Sequence, residues 1–264
     1  SLRRVEGEIY SKRGETLVKG LAACGVCHGQ ISDPESPLIG GRVVEDIYGE
    51  VTAPNITPGK TGLGDWTTTE IMQAIRNSIN KDEEDISQAV HKGYLWMSDE
   101  DLLAVVGYLK SLTPYENEVD RRHVSFVSRN TTGFWESKKE VKGHVPAIIP
   151  TDKVAYGEYL VNHVANCAFC HNSPSTLLRG ESFLGGGKTI KREGVERVAP
   201  PLHNGQDSSI FGWSEKDIIH YLKTGMTPEN NAINPLFCPT NFYRNAPEQE
   251  IEAIAAYLKT VPPS

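Results

Sequence analysis

The stretch that decides the reading is Cys24-Gly25-Val26-Cys27-His28, which returns as Cys167-Ala168-Phe169-Cys170-His171. Two thiols one helical turn apart, followed at once by an imidazole, form the attachment pattern of a c-type haem. The thiols add to the two vinyl groups, and the His lies beneath the iron as proximal ligand. A four-cysteine zinc site would leave both histidines unexplained, and a thioredoxin-like dithiol would not need two copies in the same context. The expected cofactors are two covalently attached haem c groups with their iron. Cys24, Cys27, Cys167 and Cys170 would carry the thioether links, with His28 and His171 on the metal.

The repeat extends beyond the motifs. Gly14-Glu15-Thr16-Leu17-Val18 precedes the first and Gly157-Glu158-Tyr159-Leu160-Val161 the second, each predicting an amphipathic helix that delivers its last turn to the haem. A Gly-rich loop with a proline follows: Ala53-Pro54-Asn55-Ile56 in one half, Ala199-Pro200-Pro201-Leu202 in the other. Gly64-Asp65-Trp66-Thr67 answers Gly212-Trp213-Ser214, and a helix is expected at the Thr or Ser, with Glu70 or Asp217 three residues on as a capping box. A last helix closes each half, running from Ser98 to Lys110 and from Glu248 to Lys259, and prolines at 114 and 262 stop them. The fold class is all-α, with about three helices and long irregular loops around one haem in each half. The expected organisation is a first domain over 1–114, a connector strap over 115–150 and a second domain over 151–264. The strap is polar, yet Phe126, Phe134 and Trp135 would be costly to leave in water, so it is expected to be ordered.

Composition bounds the function. Hydrophobic residues make up 38% of the 264, lean for two self-sufficient cores unless a large apolar group fills the interior. The formal charge of -7 argues against nucleic acid and against anionic lipid, and suits a steered encounter with a basic redox partner. No run of 18 apolar residues occurs, so no membrane span is expected in this chain. The polar opening SLRRVEGEIY is not a secretory signal, and the chain reads as a processed or trimmed form.

The run Tyr159-Leu160-Val161-Asn162-His163, Ala-Pro-Asn-Ile-Thr-Pro at 53–58, Gly-x-Gly-x-Trp at 62–66 and Met-Ser-Asp-Glu-Asp at 97–101 resemble the cytochrome c subunits of bacterial membrane-bound alcohol, aldehyde and gluconate dehydrogenases. The resemblance covers nearly the whole chain, although that family usually carries three haems and two motifs stand here. It implies tandem class I cytochrome c domains and a periplasmic or other extracytoplasmic location. It also implies electron transfer among redox proteins: a dehydrogenase, a quinone-linked complex or another cytochrome, within a membrane-associated complex or outside one. The family's distal iron ligand is the Met of a Met-Pro pair ahead of the last helix, and neither half has it.

Aligned backward from its last helix, the second half puts Cys238-Pro239 at the Met-Pro position. The odd fifth cysteine thus stands where a sixth iron ligand is needed, and thiolate binds ferric haem well. A buried apolar Cys and an intermolecular disulfide are the plainer readings, and Met226 is the competing ligand. In the first half the alignment lands on Ala89-Val90, which cannot bind iron. His91, seven residues before the cap Ser98, is the preferred candidate, with Met97 as its alternative. Pro54 and Pro200 are expected to offer the carbonyl that accepts the proximal imidazole N–H. Trp66 and Trp213 either bond haem propionates or belong to the core. His123, His144, His163, His203 and His220 have no partner pattern pointing to iron.

Three functions are compatible with these residues. The leading one is an electron-transfer protein whose two low-potential haems relay electrons. The alternatives are a haem enzyme acting at the Cys-ligated iron, like thiosulfate dehydrogenases, and a peroxidase-like protein with one open iron.

Overall fold

A computed structural model describes residues 2–46, 49–86, 88–120 and 139–264. The expectations for His123, Phe126, Phe134 and Trp135 lie outside the described residues. The described part of the chain divides into two compact units, residues of 1–19 with 24–147, and residues of 20–23 with 148–264.

In the first unit α1 (Leu2–Lys19) packs on α5 (Asp99–Ser111), with α2 (Gly25–His28), α3 (Thr68–Asn77), α4 (Gln88–His91) and a 3-10 turn (Lys92–Tyr94) between them in sequence. In the second unit α6 (Lys153–His163) packs on α10 (Glu248–Leu258), with α7 (Ala168–His171), α8 (Glu215–Thr224) and α9 (Thr240–Tyr243) between. The closing helices bury the same stripe. Leu102, Val105, Val106 and Leu109 on α5, and Ile251, Ile254, Ala255 and Leu258 on α10, repeat at i, i+3, i+4, i+7.

Local chemistry sets the helix ends. Thr67 with Glu70, and Ser214 with Asp217, form reciprocal capping boxes on α3 and α8, and Ser98 caps α5 by accepting from the Asp101 N–H. Where irregular loop was expected, each unit also carries a two-stranded antiparallel hairpin: β1 (Val43–Asp46) on β2 (Gly49–Thr52), and β3 (Thr189–Arg192) on β4 (Val195–Val198). The second turns on Glu193 and Gly194, both at positive φ, as a two-residue hairpin turn matched to strand twist requires.

Within the first unit, residues 115–116 and Val141 are tied down by polar bonds, of which those to Val141 are buried. Asn55 Nδ2 donates to the Tyr115 carbonyl (2.9 Å), and the Glu116 carboxylate accepts from the Lys60 and Thr61 backbone. The Asn77 side chain brackets Val141 by accepting from its N–H (2.8 Å) and donating to its carbonyl (3.1 Å).

The contact between first and last helix leaves no room for a side chain. A Cβ on Gly14 would stand 2.0 Å from the Ala104 carbonyl oxygen, and one on Gly157 1.9 Å from that of Ala253. Backbone oxygen cannot give way as a flexible side chain does, so the helices must part. Gly14→Ala and Gly157→Ala are each expected to lower stability by about 1–3 kcal/mol. Chemical denaturation followed by circular dichroism checks this; wild-type midpoints for both would show that the helices adjust without cost.

Candidate functional site

Each Cys-x-x-Cys-His run forms a single helical turn entered through a left-handed residue, Ala23 (φ 45) in one case and Asn166 (φ 51) in the other. His28 N bonds to the Cys24 carbonyl and His171 N to that of Cys167, both at 2.9 Å, so the thiols share one face and the imidazole follows at the end of the turn. Side-chain cations fasten the turns from outside: Arg42 Nη1 donates to the Val26 carbonyl (2.5 Å) and Lys188 Nζ to that of Phe169 (2.7 Å).

Pro54 and Pro200 bring their carbonyl oxygens 2.7 Å from Nδ1 of His28 and His171 respectively. A carbonyl only accepts, so each Nδ1 carries the proton and each Nε2 presents a lone pair. Glycines allow the approach. Gly40 (φ +73) would drive a Cβ to 2.4 Å from the Pro54 carbonyl carbon, and Gly186 (φ +69) to 2.3 Å from Pro201 N. Their own N–H groups donate to the His28 and His171 carbonyls at 2.8 and 2.7 Å. Burial lowers the pKa of both imidazoles, His28 to about 4 with His91 adding to the effect, so both are neutral, the form that binds metal.

His91 ends α4, not a loop. Its Nδ1 lies 3.2 Å from the Ala74 carbonyl, and its ring centre 6.5 Å from that of His28 at an interplanar angle of 38°. Both rings thus spend Nδ1 on a backbone carbonyl, and neither Nε2 has a hydrogen-bond partner among the described residues. With Nδ1 engaged in each ring, Nε2 of His28 and of His91 would be the atoms to hold a metal ion. Met97 is buried at the start of α5, with its carbonyl held by Arg76 Nη2 (2.5 Å).

In the second unit Cys238 is half-buried just before α9. Desolvation pushes its thiol up to about 12, as it does those of Cys24 and Cys167. Met226 pairs with Ala232 in an isolated bridge after α8. No disulfide joins two cysteines among the described residues, and no three His, Cys, Asp or Glu side chains there gather as a metal-holding cluster. The donor set fits a tetrahedral zinc ion poorly. It fits a metal carried by a thiol-anchored macrocycle, which needs only one protein ligand above and one below.

The remaining described histidines are engaged elsewhere or exposed. Buried His203 accepts the Gly205 N–H at Nδ1, His144 pairs with Asp99 at 2.8 Å, His163 lies 6.2 Å from Tyr159, and His220 is exposed. Half-buried Trp66 borders a polar cavity of about 420 Å³ with Lys60, Thr61, Asp65 and Lys81. Trp213 stacks obliquely on Tyr221 with centroids 5.6 Å apart, and its carbonyl accepts from Lys259 Nζ. The reading of the sequence missed Arg42, Lys188 and Ala74. The first two carried a signal, since each follows the loop glycines at the same offset.

No protein-family profile matches the chain. It is 30% identical to the fructose dehydrogenase cytochrome subunit of Gluconobacter japonicus over 91% of its length and 50% of that protein. It is 27% identical to the cytochrome c subunit of the quinone alcohol dehydrogenase of Gluconobacter oxydans over 97% of its length and 55% of that protein. A third match, 31% identical over 37% of the chain and 33% of the relative, is a diheme cytochrome c-type protein of Cereibacter sphaeroides. The chain spans about half the length of the first two relatives. These similarities, over most of the chain, make the protein a relative of the cytochrome c subunits of bacterial dehydrogenases.

Proposed function

We propose that the protein is a diheme cytochrome c that relays electrons between redox partners. In this reading each compact unit is a class I cytochrome c domain, joined through the 115–150 segment. The thioether links fall on Cys24 and Cys27 in the first unit and on Cys167 and Cys170 in the second. Each bound haem supplies a one-electron iron couple. The protein holds it by two thiols, a proximal imidazole fixed by Pro54 or Pro200, and a distal donor, His91 in the first unit and Cys238 in the second.

The observation that carries this reading is the matched geometry of the two motif turns: twice, two thiols and an imidazole whose tautomer a proline carbonyl locks share one helical turn, and in the first unit the His91 ring lies 6.5 Å from that of His28. The names of the relatives support a dehydrogenase as redox partner; in this reading it is the electron donor, and a quinone-linked complex or another cytochrome is the acceptor. The periplasmic location rests on the same resemblance. No helix among the described residues is long and apolar enough to cross a membrane. The charge of -7 favours a partner with a basic docking face.

Imidazole and thiolate donate more charge to iron than the thioether of Met, so both ligand sets favour the ferric state and lower the potential. Filling both axial positions with protein donors keeps small molecules off the metal, which favours relay over turnover.

Low-temperature EPR of the oxidised holoprotein is expected to contain a low-spin thiolate signal that Cys238→Met removes. Identical spectra would take Cys238 off the iron. Potentiometric titration provides the matching check on the first unit: His91→Met should raise one midpoint and leave the other in place. Carbon monoxide binding to the reduced wild type would instead favour the peroxidase-like alternative.

A further inference from the structure

In each motif turn one carbonyl drops out of the helix, and in both units a cation meets it. The N–H four residues after Val26 belongs to Gln30 and is diverted to the Ser36 hydroxyl at 2.7 Å. The N–H four residues after Phe169 belongs to Ser173 and bonds to the Ser182 carbonyl at 3.0 Å. Both motif helices stop at the histidine, so Val26 and Phe169 present carbonyl oxygens that the helix ladder does not serve. Arg42 Nη1 takes the first (2.5 Å) and Lys188 Nζ the second (2.7 Å).

The carbonyl in question is joined by its own peptide bond to the second motif cysteine, Cys27 or Cys170, and lies two residues before the proximal histidine. The cations hold corresponding places. Each follows a pair of positive-φ glycines, Gly40-Gly41 or Gly186-Gly187, and stands immediately before the first strand of a hairpin. Their backbones are paired alike, with the Ala53 N–H on the Arg42 carbonyl at 2.8 Å and the Ala199 N–H on that of Lys188 at 2.9 Å. Both residues are half-buried, and the Lys188 ammonium also lies 4.9 Å over the Phe169 ring centre. A hydroxyl, an amide or a water would satisfy a stray carbonyl. Arg and Lys differ in length, shape and number of donors. What the two positions share, in a chain of formal charge -7, is a fixed positive charge.

We propose that Arg42 and Lys188 are positioning residues that raise the midpoints of their own haem sites, each fixing a positive charge against the motif turn. This rests on the two motifs carrying haem. Reduction removes one unit of positive charge from the site, so a cation held on the turn stabilises ferrous iron relative to ferric. A half-buried charge is screened by salt less than one free in solvent. The effect is local, because each cation acts on the turn it touches.

The test uses the haem-loaded protein. Arg42→Gln and Lys188→Gln keep an N–H donor and lose the charge, whereas Arg42→Lys and Lys188→Arg keep the charge. Visible absorption confirms both haems, thermal melting confirms the fold, and a potentiometric titration gives the two midpoints. Each Gln variant should lower one midpoint, and the two variants different ones, by a roughly fivefold change in the reduction equilibrium, about 41 mV for one electron. The charge-keeping variants should stay near wild type. Should a Gln variant fail to fold, Arg42→Met or Lys188→Met takes its place, with the same fall expected. Wild-type midpoints without the charge, or equal falls in the charge-keeping variants, would overturn the proposal and leave the relay intact. A wild type without covalently held haem would overturn the relay reading and this proposal with it.

Discussion

The bond from a backbone carbonyl to the motif imidazole, Pro54 to His28 and Pro200 to His171, is the constraint on which each unit depends. An imidazole at the end of one short helical turn can rotate and can protonate on either nitrogen. A proline carbonyl 2.7 Å from Nδ1 selects one tautomer and one ring plane, and leaves Nε2 as the only donor atom. Bringing that carbonyl so close requires chain with no side chain behind it, which explains Gly40 and Gly186 at positive φ against the proline loop. The hairpins and the cations Arg42 and Lys188 then brace the glycine strand and the motif turn against each other. The helix pairs α1/α5 and α6/α10 carry this assembly from behind, and their own glycine contacts let the helices cross backbone to backbone.

In the proposed relay the two units diverge on the distal side. α3 and α8 share length and cap but end differently, at Ser78 and at Gly225, and the Ala74 carbonyl near the end of α3 accepts from the His91 imidazole. The proposed sites are electrically different although their proximal halves are nearly identical: one has a neutral distal ligand, the other an anionic one.

Much of this was legible in the amino-acid order, for identifiable reasons. The motifs, the capping residues Thr67, Glu70, Ser98, Ser214 and Asp217, and the periodic stripes on α5 and α10 are local patterns, and local patterns survive without tertiary information. The repeat made the rest comparable, so the missing Met-Pro pair drew attention to His91 and Cys238. The hairpins were hidden because four-residue strands carry little alternation, although Glu193-Gly194 was a turn signal. Ala74 was hidden for a deeper reason. Its relevance depends on where a helix stops and on which carbonyl is thereby released, and neither is written in the residue itself. His91 ends the four-residue helix Gln88–His91 where a loop was expected, because so short a run carries too little periodicity to be read from sequence.

The central claim is that two thiol-anchored irons share one proximal arrangement and take different distal donors. A crystal structure of the oxidised holoprotein, with iron located by anomalous scattering, tests it most directly. The account predicts one iron between Nε2 of His28 and Nε2 of His91, and a second between Nε2 of His171 and the sulfur of Cys238. An iron bound by Met97 or Met226, or one with an open sixth position, would contradict it.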